Sequence, residues 1–93
     1  MRPAVRIILA PILHRYAIER REGEAYRRTA WIDPRATHPT KILFHELLHI
    51  RYPSWSETRV KYETARRWRK TNWKQRARLL QLLASARLEG EED

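Results

Sequence analysis

Ninety-three residues, a formal net charge of +9 and no cysteine bound this chain before any motif is read. The length predicts a single domain over residues 1–93 with a small core, and the lack of cysteine excludes a disulfide framework and any thiolate metal site. The charge, carried mainly by arginine, predicts either a solvated basic face or a surface for nucleic acid.

Along the chain, Met1–Leu13 has a basic start and an apolar run from Ile7 to Leu13 broken by Pro11. That run is too short for a signal peptide and lacks a small-residue cleavage site. No segment approaches the roughly 18–20 apolar residues of a membrane span, so the expected location is cytoplasmic. Ala4–Leu9 is β-prone. From His14 to Arg20 polar and apolar residues alternate, Glu22-Gly23 is a turn signal, and Tyr26–Asp33 is again β-prone. A hairpin following a first strand is the favoured reading; a helix from Pro11 to Arg21 competes with it.

Asp33-Pro34 through His38-Pro39 reads as a loop. Thr37 or His38 then caps a helix with Pro39 in its first turn, running to about Arg51 and ended by Pro53. Ser56 is an N-cap for a helix from Glu57 to about Lys70, and Asn72 for one from Trp73 to Arg87. Glu89-Gly90-Glu91-Glu92-Asp93 is predicted to be a flexible acidic tail.

The first of these helices carries the chemistry. Ile42–Ile50 reads Ile-Leu-Phe-His-Glu-Leu-Leu-His-Ile, and His45, Glu46 and His49 are its only polar residues. Residues four apart share a helix face, so His45 and His49 can present two imidazoles to one metal ion. Glu46 follows the first of them, where a carboxylate can serve as general base to a metal-activated water. A helix apolar nearly all round is buried. Burying these groups without partners would cost several kcal/mol, roughly 1–3 for each unsatisfied neutral group, and a metal removes that cost.

A catalytic zinc usually has three protein ligands and an open position. No His follows His49, so the third ligand is a carboxylate or comes from upstream. In the next helix Glu57 and Glu63 qualify. Val60, Thr64, Trp68 and Thr71 recur at the spacing of one inward face. Glu57 lies one turn before Val60 on that side, whereas Glu63 lies toward Arg59, Arg66 and Arg67. Glu57 is therefore preferred, with Glu63 as the alternative. Either acid also has a plain structural role, Glu57 as a first-turn acid and Glu63 as an ion-pair partner. His14 and His38 are read as surface or capping residues, and Trp55, Trp68 and Trp73 as core or interface anchors. Tyr52, Tyr62, Arg66 and Arg67 are candidates to polarise a substrate carbonyl; nothing in the spacing selects one.

His45-Glu46-Leu47-Leu48-His49, a short loop and then Ser56-Glu57 opening a helix resemble the gluzincin type of zinc metallopeptidase, and in brevity the minigluzincins. The motif-level likeness covers Thr40 to Arg67. It implies a small α+β zincin-like domain with about three short strands in its N-terminal half, the active helix and two further helices. It also implies Zn2+ on His45, His49 and Glu57, Glu46 as general base, and peptide or protein substrates. An edge strand bordering the cleft near Tyr26–Ile32 follows from the likeness, as does a latent homo-oligomer whose cleft is blocked by a terminal segment, here the acidic tail. The chain departs from the pattern at Arg51, where a hydrophobic residue is usual. It departs again at Lys61, where larger gluzincins carry an Asp that orients a His. The competing expectation is a basic nucleic-acid-associated module whose metal site is structural or vestigial.

Overall fold

The computed structural model describes residues 5–10, 23–26 and 28–90. Strand β1 (Arg6–Leu9) is followed by β2 (Gly23–Tyr26) and β3 (Thr29–Ile32). Three helices come next, α1 (Pro39–Arg51), α2 (Glu57–Trp68) and α3 (Trp73–Ala84), and a two-residue strand β4 (Arg87–Leu88) follows them. The sheet order is β2-β3-β1-β4. β2 pairs antiparallel with β3, and β1 lies parallel to both β3 and β4. The result is a small α+β domain of zincin-like arrangement.

Period-2 patterning explains β3: Ala30 and Ile32 are buried while Thr29 and Trp31 are only half-covered. Ile7 of β1 joins them, and Leu43 of α1 and Leu79 of α3 close the core from the other side. Ile32, Leu43 and Val60 are completely buried, each stabilising the fold by roughly 1.5–3 kcal/mol. α1 packs against β2, β3, α2 and α3, so the His-containing helix occupies the centre.

The helix starts follow the expected chemistry. Ser56 Oγ accepts the backbone N–H of Arg59 at 3.1 Å, and Asn72 and Gln75 form a reciprocal capping box. α1 begins with Pro39 in its first turn, and His38 is its N-cap residue without a side-chain capping bond. The loop before it is braced by the buried Asp33 carboxylate, which accepts from the Arg35 backbone and guanidinium at 2.7–2.9 Å.

Several expectations are corrected. Gly23, expected in a turn, begins β2, and the chain turns at Arg28 before β3; Glu22 lies outside the described residues. The predicted strand over His14–Arg20 and the competing helix over Pro11–Arg21 lie outside the described residues. Among the described strands β3 is interior, between β2 and β1, and the edge beside it is β2 rather than Tyr26–Ile32. The third helix stops at Ala84, not Arg87, because Arg87–Leu88 leave it to pair with Ile8–Leu9. Backbone pairing continues to Glu89, whose N–H donates to the Leu9 carbonyl at 2.9 Å; residues 91–93 lie outside the described set.

Candidate metal centre

Two antiparallel helices make the site, and the tight reversal between them sets its geometry. Tyr52 closes α1 and Ser56 opens α2, so Glu57 returns directly over the last two turns of α1. There its carboxylate bridges the two imidazoles. Glu57 Oε1 lies 2.7 Å from His45 Nε2, and Oε2 lies 3.1 Å from His49 Nε2. The two rings sit 5.0 Å apart, edge to face. One ligand-type atom from each of the three residues falls within 4.8 Å of the others. The donor set, two imidazole nitrogens and one carboxylate oxygen, fits a hydrolytic metal with an open position, Zn2+ foremost.

The imidazoles are mostly covered, at 17% and 23% side-chain exposure, while Glu57 is 57% exposed. Burial lowers the proton affinity of His45; Glu57 opposes that, while His49 and Lys61 reinforce it. Burial acts upward on Glu57, but the charges and hydrogen bonds of His45 and His49 together hold its carboxyl below the ordinary range. Both shifts favour the forms that bind a metal, a neutral imidazole and an ionised carboxylate.

The second nitrogen of His45 is also engaged. Thr64 Oγ1 lies 3.2 Å from His45 Nδ1, and Thr64 is buried on the α2 face that meets α1. A hydroxyl both donates and accepts, so it suits either tautomer. With Nε2–H donating to Glu57, Nδ1 accepts from Thr64; with Nε2 given over to a metal, Nδ1–H donates to it. Lys61 stands one turn after Glu57, and Thr64 one turn further holds the imidazole. The sequence placed Thr64 only on an inward face; its spacing of seven from Glu57 was the signal that the two share one side of α2.

Glu46 is buried, at 5% relative exposure, in the middle of α1. Glu63 is turned away from the His pair and held by Arg66 at 2.7 Å and Arg67 at 3.1 Å. Those two arginines, named as possible carbonyl polarisers, are thereby engaged. Tyr52 stacks on Trp55 with ring centroids 4.0 Å apart, while Arg67 and Arg51 beside it lower its phenol. Tyr62 points to solvent at 66% exposure. His14 lies outside the described residues.

Against family models, curated proteins and solved structures, the chain gives no match in any of the three comparisons. The chemistry of this site therefore rests on its own geometry. No described helix is long and apolar enough to cross a membrane.

Proposed function

We propose that the protein is a zinc-dependent metallopeptidase of gluzincin type, with His45, His49 and Glu57 holding Zn2+ and Glu46 as general base. The observation that carries this reading is the convergence of Glu57 from α2 onto both α1 histidines. A metal ion held between them gives the two histidines and the half-exposed carboxylate from another helix a shared purpose beyond an ion pair. Zn2+ bound there would supply Lewis-acid polarisation of water and of a peptide carbonyl. Glu46 takes a proton from the attacking water and delivers it to the leaving amine. Glu57 contributes the anionic ligand, and Thr64 keeps His45 turned so that Nε2 faces it.

The decisive experiment pairs metal content with peptide hydrolysis in wild type and Glu46→Gln. Wild type is expected to bind one zinc and hydrolyse an unfolded protein substrate. Glu46→Gln should keep the zinc and lose about 10²–10⁴-fold in rate. Undiminished hydrolysis by Glu46→Gln, or a wild-type protein that takes up no zinc, refutes the proposal.

A further inference from the structure

The net charge of this chain is not spread over its surface. Eight of its twenty Lys and Arg residues lie between Thr64 and Leu88, with no Asp or Glu among them, leaving twelve cations against eleven acids in the rest. Nearly the whole excess of +9 therefore comes from the end of α2, α3 and the segment after it. The core explains little of this, since Leu79 is the only residue of α3 that is buried.

Four of these cations, Arg69, Lys70, Lys74 and Arg78, are exposed, and their side chains make no hydrogen bond or ion pair with the described residues. In their midst stands Trp73, the first residue of α3, with its surface 75% exposed. The Lys74 ammonium lies 5.8 Å from its ring centroid. On the same face of α3, at helical spacing from Trp73, Arg76 and Leu80 line a groove of about 400 Å³ shared with Lys41 and Trp68. A large apolar ring left mostly in water, among cations that form no ion pair with the described residues, has the makings of a stacking platform. Phosphates are drawn to the cations, and an unpaired base covers the indole.

We propose that the α2–α3 junction is a binding surface for single-stranded nucleic acid, with Trp73 as its stacking residue and Arg69, Lys70, Lys74 and Arg78 as its phosphate contacts. A duplex keeps its bases stacked on one another and offers Trp73 no free ring face. An anionic lipid surface would meet the cations but leave base stacking unused. The surface stands independently of the peptidase reading: it lies beyond the far end of α2 from Glu57 and uses none of the metal-centre residues.

The test is titration of a dye-labelled oligothymidylate with the full chain, followed by fluorescence anisotropy between about 50 and 200 mM salt. Four phosphate contacts on a single strand predict a log–log salt slope of roughly −3. Arg69→Ala/Lys70→Ala should reduce that slope by about 1.4, at the same rate of about 0.7 per phosphate contact. Trp73→Ala should weaken binding about 5- to 150-fold, the span of one lost base stack, with circular dichroism confirming an intact fold. Arg59→Ala, whose guanidinium lies 4.3 Å over Trp55, should change affinity little, and Glu46→Gln should bind as wild type does. No binding at the low-salt end overturns the proposal. So does a Trp73→Ala variant of unchanged affinity, or tighter binding to a DNA duplex or to phosphatidylserine vesicles than to the oligothymidylate.

Discussion

Glu57 and Glu63 sit six residues apart on one helix and meet opposite surroundings. Glu63, with only 12% of its side chain exposed, is clamped between Arg66 and Arg67. Glu57 is 57% exposed and faces two imidazoles. A guanidinium has donors and no lone pair to give a metal, so it saturates the carboxylate it meets. An imidazole, once its tautomer is set, brings a lone pair of its own. The more exposed acid is thus the better ligand candidate. What distinguishes the candidate ligand from the ion-pair partner here is the chemistry of the neighbour, not burial.

Removing each acid in turn is the strongest way to break this contrast. Glu57→Ala is expected to abolish stoichiometric zinc binding, as are His45→Ala and His49→Ala. Glu63→Ala should retain one zinc per chain and lose only a little thermal stability, an effect that weakens further in high salt because its arginine partners are solvent-exposed, at 45% and 35%. Metal analysis after gel filtration reads both. If zinc were lost with Glu63→Ala and kept with Glu57→Ala, the assignment of the two acids would be reversed.

A subtler version of the contrast lies one layer out, at the hydroxyl behind His45. Thr64→Val keeps the shape and removes the hydrogen bond at Nδ1, which should weaken zinc binding about 10–100-fold. Thr64→Ser restores the hydroxyl and should recover most of that affinity, as measured by competition with a chromogenic chelator. Equal affinities for all three proteins would reduce Thr64 to a packing residue. At the mouth of the same helix, Ser56→Ala removes the cap at Arg59 N and should cost about 1 kcal/mol of stability, with zinc stoichiometry unchanged.

The helical half was readable in the sequence because its signals are local. Pro39, Ser56 and Asn72 mark starts that depend on nearby backbone geometry, and four-residue spacing alone puts His45 and His49 on one face. Glu57 was legible for the same reason, since helix phase relative to Val60 aims it inward. The sheet was harder. Whether Gly23 lies in a turn or a strand depends on which residues oppose Thr29–Ile32, a register fixed across the hairpin and by the helix packed behind it. β4 gave no pattern at all: two residues pair with Ile8–Leu9 because the chain leaves α3 beside that edge. Thr64 was visible as a position but not as a partner, because its role depends on the distance between two helices.

Acid should separate the two sides of the α1–α2 contact by pH. His45 has its proton affinity lowered, first by burial, so below the ordinary imidazole value of about 6.5 the unfolded chain takes up a proton before the folded one does. The stabilisation tied to neutral His45 is therefore present above that value. It is lost as pH falls through the lower folded value. Glu57 and Glu63 act at lower pH, because both carboxyls are held below their ordinary range and give way only as pH falls through their folded values. The difference lies in what the carboxylates do for their neighbours. Glu57 raises the proton affinity of His45 against burial, so Glu57→Gln should move the His45 titration of the metal-free protein further down. Glu63→Gln should leave it where it is. Two-dimensional NMR of the imidazole resonances reads the midpoints directly, and a wild-type midpoint above about 6.5 would mean that the Glu57 carboxylate, not burial, dominates His45.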